Sequence, residues 1–264
     1  MKKVIFAAFA VLFLFCAIAE AKRVVLVSMG SGEGKVTELK GTARWQTKGG
    51  GWANLKSGQS LKGGDQVETG AGARMELTLP DASILRFAEN TRFRIIAIDM
   101  DESAGTRNAK INVALGKTWA NVNKGLKVNP NIDVTSSNAV AGVRGTIYKM
   151  NVDEDQTVLI RVYDGQVNVE GVKGEKKPET QAPVLGQPYK ISGPTPVQGP
   201  HKVTMEQWVY IIKSMQQIRV SSTGIPSKPE SFALAQDRDE WVDWNRSRDR
   251  EAEGTAGNWT DIFR

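Results

Sequence analysis

Between residues 36 and 169 the chain is cut into short apolar and polar alternations by closely spaced turn residues, and this punctuation limits the possible folds most. Ten runs read as extended: 36–46, 75–79, 84–87, 92–98, 111–115, 118–122, 132–135, 146–152, 157–163 and 166–169. Met75-Glu76-Leu77-Thr78-Leu79 and Phe93-Arg94-Ile95 alternate in a way that sets one face on a core and the other in water. Gly63-Gly64-Asp65, Pro80-Asp81-Ala82-Ser83, Glu89-Asn90, Asp153-Glu154-Asp155-Gln156 and Asp164-Gly165 supply the turns. No helix-length amphipathic segment intervenes, so the pattern predicts a mainly β sandwich or barrel and excludes a parallel α/β sheet.

Within this region, Ala139-Val140-Ala141-Gly142-Val143-Arg144-Gly145-Thr146 sets two glycines three apart around Arg144. Glycines so placed imply backbone that is left-handed or too closely approached for a Cβ. Arg144 then has two readings, as a binding residue or as a fork holding strand ends through carbonyls and a carboxylate such as Asp65 or Asp164. The structural role is favoured, because the flanking glycines point to tight packing.

The rest of the chain divides by composition. Lys2 and Lys3, an apolar run over 4–18 and Ala19-Glu20-Ala21 make 1–21 a secretory signal peptide, with an apolar run short of the roughly 20 residues needed to span a bilayer. Cys16, the single cysteine, leaves with it, so no disulfide or cysteine metal cage is expected in the mature chain. Residues 22–35 form a Gly-rich linker. Its Gly34-Lys35 pair imitates a phosphate-binding loop, but Met29 and Val36 stand where that loop needs glycine and a hydroxyl. Residues 171–200 carry Pro178, Pro183, Pro188, Pro194, Pro196 and Pro200 and read as an extended segment. In the final part, 201–264, Thr204 and Gln207 form a capping box ahead of the stripe Met205, Trp208, Val209, Ile212 and Met215, which predicts a helix over 204–218. A second helix is expected over 227–248, with Trp241 and Trp244 on a narrow docking face.

Few residues invite chemistry. The lone histidine, His201, sits outside the β region and gives no base for a nucleophile and too few ligands for zinc. Carboxylates are plentiful, yet no spacing singles out a catalytic pair. Asp99-Met100-Asp101-Glu102 and Asp153-Glu154-Asp155 lack the loop pattern of a calcium site and read as solvated turns. No enzyme activity, cofactor or metal is therefore expected. The net charge is +6, and removing Lys2, Lys3 and Glu20 leaves +5, well mixed along the chain. That distribution argues against nucleic acid as a partner. Trp45, Trp52 and Trp119 are the candidate binding residues beside Arg144, since aromatic faces on a β-sheet offer large apolar area at small entropic cost.

Several blocks, taken in order, resemble the FecR domain family, an extracytoplasmic module. They are Gly41 with Trp52-Ala53-Asn54-Leu55-Lys56-Ser57-Gly58; Gly63-Gly64-Asp65-Gln66-Val67-Glu68-Thr69-Gly70; and Asp81-Ala82-Ser83, where the family usually has Asp-Gly-Ser. Leu115-Gly116-Lys117-Thr118-Trp119, Ala141-Gly142-Val143-Arg144-Gly145-Thr146 and Val162-Tyr163-Asp164-Gly165-Gln166-Val167 follow. The resemblance implies a jelly-roll-like β-sandwich over 36–170 with a C-terminal helical extension. It also implies a structural signature of Gly64, Asp65, Thr69, Gly142, Arg144, Gly145, Thr146 and Gly165.

The family's regulators place an anti-sigma segment and a membrane helix ahead of this domain, a plan that the sequence departs from. The expectation is therefore a periplasmic or secreted, non-catalytic envelope binding or scaffold module with no membrane span in the mature chain. Its partner would be an envelope protein or a cell-wall polymer. The alternative is a sensor or regulatory component working through a separate membrane protein, and a carbohydrate-active enzyme ranks third.

Overall fold

The structure is a computed structural model that describes residues 32–101, 106–124, 131–143, 145–171 and 209–253. The signal peptide, residues 22–31 of the linker, Arg144, His201 and residues 172–200 of the Pro-rich segment lie outside the described residues. In chain order the strands are β1 (Glu33–Lys40), β2 (Ala43–Gln46), β3 (Ala53–Asn54), β4 (Ser60–Lys62), β5 (Gln66–Thr69), β6 (Arg74–Thr78), β7 (Ile84–Phe87) and β8 (Arg92–Asp101). Then come β9 (Thr106–Asn121), β10 (Asn131–Thr135), β11 (Ala139–Val143), β12 (Ile147–Val152), β13 (Val158–Asp164), β14 (Gln166–Gly171), β15 (Val209–Lys213), β16 (Gln216–Val220) and β17 (Glu230–Ser231). A short 3-10 turn at Leu234–Gln236 leads to the helix α1 (Glu240–Glu253). Among the described residues no helix is long and apolar enough to cross a membrane.

The molecule is mainly β with a C-terminal helix. Its pairings fall into two runs that share the long strand β9. One run is β4–β1–β6–β7–β9–β12–β13–β16–β17 and the other is β3–β2–β5–β8–β9–β10–β11–β14–β15. Among the described residues every strand pairing is antiparallel except β9 with β10. Inward-facing residues of both runs, among them Leu77, Leu85 and Met150 from the first and Val67, Ile111 and Val134 from the second, form one core cluster. Phe87 and Phe93 stack across it with ring centroids 3.7 Å apart.

β9 can serve both runs because it turns sharply at Gly116. This residue has φ +102°, and a Cβ there would stand 2.6 Å from the Thr91 Cα. Only glycine fits both the conformation and the space.

Three expectations need correction. β1 begins at Glu33, inside the stretch read as linker, because Glu33, Gly34 and Lys35 pair with β4. The helix expected over 204–218 is, from Val209 onward, the hairpin β15–β16. Its stripe of Val209, Ile212 and Met215 fits a helical period, but the run is rich in β-branched residues, and pairing with β14 and β13 buries Ile212 and Ile218. The helix expected over 227–248 starts only at Glu240, after β17 and the 3-10 turn.

Candidate functional site

The signature residues mostly build turns. Gly64 (φ +96°) and Gly165 (φ +88°) occupy left-handed turn positions. Asp65 accepts the Lys62 backbone N–H at 2.9 Å. The Thr69 hydroxyl donates to the Ala88 carbonyl at 2.6 Å and accepts the Thr91 N–H at 2.9 Å, tying β5 to the turn before β8. Thr146 is buried. Gly145 has φ +58°, and a Cβ there would meet the Lys124 Cγ at 2.8 Å, as its place beside Arg144 suggests. Asp164, one of the carboxylates considered for Arg144, is paired with Lys124. At Asp81-Ala82-Ser83, where glycine was the family expectation, Ala82 does take φ +63°.

Gly142 behaves differently, which corrects the expectation of a tight backbone at both glycines. It lies in mid-strand in β11, not in the left-handed region, and a Cβ would make only ordinary contact with Asp133 Oδ1 at 3.4 Å. Its hydrogen atom therefore leaves a notch on the outer face of the strands. Register sets Lys110, Asp133, Gly142, Asn168 and Ile211 in one cross-strand row, with Thr135, Val140, Glu170 and Val209 in the next. The notch opens into a groove of about 500 Å³ that also takes in Asn131 and Gln166.

The groove is polar and mildly acidic. Among the described residues none of Asn131, Asp133, Gln166, Asn168 and Glu170 spends its side chain on a hydrogen bond within the protein. Partial burial pushes the Asp133 carboxyl above the usual carboxylate range; Lys110 pulls it back in part, and Glu170 adds to the rise. Beside it, Val209 and Ile211 on β15 are 57% and 55% exposed. Amides and carboxylates that accept and donate hydrogen bonds, bordered by exposed aliphatic side chains, suit a polypeptide better than a purely polar ligand.

The tryptophans do not converge on this groove. Trp119 is 1% exposed, packed on Tyr163 at 4.6 Å between ring centroids, and its indole N–H donates to Asp249 at 2.8 Å. Its ring is not an open aromatic platform, because α1 covers it. Trp45 is half-buried and packs against the main core. Trp52 is 40% exposed near β3, at the opposite end of the run from the groove, with the Arg44 guanidinium 4.6 Å over its ring.

Sequence reasoning missed Asp133, Asn168 and Glu170. The signal was present as the alternations Asn131-Ile132-Asp133-Val134 and Gln166-Val167-Asn168-Val169-Glu170, but nothing in the sequence says that β11 separates β10 from β14.

The outer face of the other run is covered. Along it, Glu38, Glu76, Arg86, Trp119, Lys149, Arg161, Gln217 and Glu230 stand in one cross-strand row. The alternation in β6 predicts that Glu76 faces water, yet Glu76, Arg86 and Lys149 are buried, since α1 and the turn before it lie on top. Arg86 donates to Glu76 at 2.7 Å and to Asp249 at 2.6 Å. Asp237 receives Lys149, Arg161 and the Tyr163 hydroxyl. Burial pushes the Glu76 carboxyl up, but Arg86, Thr37 and Arg248 together outweigh it and hold the group below the usual range. Burial lowers Lys149 despite its pairing with Asp237. Among the described residues no three His, Cys, Asp or Glu side chains gather as a metal site would require.

Residues 65–168, from the turn at Asp65 to the groove residue Asn168, match the family model described as FecR protein. Two solved structures are similar, both of a protein from Parabacteroides distasonis ATCC 8503 proposed to be an anti-sigma factor. The 1.65 Å structure is 16% identical with a TM-score of 0.44, covering 68% of this chain and 64% of that one. The 2.50 Å structure is 16% identical with a TM-score of 0.41, covering 63% and 59%. The chain thus spans under two thirds of the length of those proteins. No curated protein matches the chain.

Proposed function

We propose that this chain is an extracytoplasmic sensor or regulatory component that acts by binding a separate envelope protein through the Gly142 groove. The match to the FecR family model supports a regulatory role over a scaffolding one. The observation that carries the site is the notch in β11, where a glycine that backbone geometry does not demand keeps a polar groove open beside Val209 and Ile211.

Gly142→Val separates binding from folding. Its side chain projects into the groove, and a β-branched residue suits a strand, so the melting temperature should stay within a few degrees of the parent or rise. A photo-crosslinking residue in place of Asn168, introduced in cells, should capture one protein species, and Gly142→Val should abolish that capture. Equal capture with and without Gly142→Val removes the groove from the proposal. Binding to isolated cell wall with no protein captured would favour the scaffold reading instead.

A further inference from the structure

A second face of the molecule is occupied by the chain's own C-terminal segment, which is held by a small apolar cluster of Phe232 and Val242 on Trp119, Ile147 and Tyr163 and, beyond it, by polar groups. Of α1, only Val242 is a fully buried apolar side chain; Trp241 packs at the margin and Trp244 lies under Arg74, 4.6 Å from its guanidinium. Beyond Trp244 the helix reaches the sheet through polar groups alone. Asn245 and Asp249 are buried, and Arg248 reaches Glu38 at 3.1 Å. The fit is incomplete, because the Trp241 indole N–H and the Asn245 Oδ1 are buried without a hydrogen bond among the described residues.

The sheet beneath has the features of a receptor. Without the segment the middle of its row offers three buried or half-buried cations, Arg86, Lys149 and Arg161, with the carboxylate of Glu76 beside Arg86 and those of Glu38 and Glu230 at the two ends of the row, together with the donors Trp119 Nε1 and Tyr163 OH. These groups converge on two carboxylate positions. One is filled by Asp237, the other by Asp249. Charges that are buried in pairs regain hydration when a seam opens, so such a seam costs less to part than an apolar one of equal area.

We propose that this face is a binding site for an acidic amphipathic peptide segment, and that residues 232–253 occupy it as an exchangeable cover. A partner segment that presents two carboxylates and a small apolar patch would compete for the same positions. The site is independent of the Gly142 groove, and its failure leaves that reading intact.

The test is exchange in trans. In the full chain carrying Asp237→Asn and Asp249→Asn, a labelled synthetic peptide of residues 230–253 should bind saturably at one per chain, at least tenfold tighter than to the parent chain. The same peptide with both aspartates replaced by asparagine should bind at least tenfold more weakly than the acidic one. Should the double variant fail to fold, a protease site inserted after the exposed Lys228 gives a nicked chain of parent sequence, from which excess acidic peptide should displace the C-terminal fragment. Displacement with the strands still folded supports the proposal. Lack of peptide binding to a folded double variant, retention of the nicked fragment against excess peptide, or unfolding of the strands once the fragment leaves would overturn it.

Discussion

Arg86 is buried with two carboxylates on its guanidinium, so its removal leaves Asp249 without its cation and Glu76 with the Thr37 hydroxyl and the longer contact to Arg248. Breaking such a pair strands buried charge, and Arg86→Ala should cost roughly 3–5 kcal/mol, read from the urea midpoint. Glu76 adds a pH dependence. Its carboxyl is held below the usual range in the folded state, so its contribution is present above about pH 4.5 and is lost as pH falls through the folded value. Glu76→Gln should flatten the loss of melting temperature below about pH 4.5; an unchanged acid limb would show that other groups govern it. None of this was legible from Met75-Glu76-Leu77-Thr78-Leu79 alone. The alternation correctly sends Glu76 away from the main core, but alternation cannot say whether water or another segment waits on that side.

At the scale of elements, local chemistry and pairing compete. Gly116 shows local chemistry prevailing, because β9 can leave one run and join the other only where a left-handed residue without a Cβ is available. Gly116→Ala should therefore destabilise by about 2 kcal/mol or more, seen as a fall in melting temperature, and retention of the parent value would refute this account of β9. Gly142 shows the opposite case: in the same signature, its backbone makes no such demand, and its substitution should be felt in binding rather than in stability. The hairpin β15–β16 shows pairing prevailing over pattern. Thr204, Gln207 and the stripe after them satisfy a helical reading, whereas β14 and β13 each offer an edge on which Ile212 and Ile218 bury fully. Strand edges supplied by residues some fifty positions earlier are invisible to any local window.

On the scale of the whole molecule, the two outer faces have different fates. One is closed by α1 through ion pairs, and the other keeps a polar groove beside an aliphatic edge. A helix held at its C-terminal half by polar groups should open locally, so the amides of residues 246–253 should exchange with solvent faster than those of β9 and β12 under native conditions. Equal protection would mean that α1 unfolds only with the strands. The sequence by itself determined the mainly β class, the positions of most strands, the turn glycines and the FecR resemblance, because period-two alternation and turn chemistry are local properties. Only the tertiary structure decided that Trp119 is core, that Glu76, Arg86 and Lys149 are buried, and that Asp133, Gly142 and Asn168 share a groove. Each of those outcomes depends on which distant strand or helix comes to lie alongside, and that is set by the packing of the whole chain.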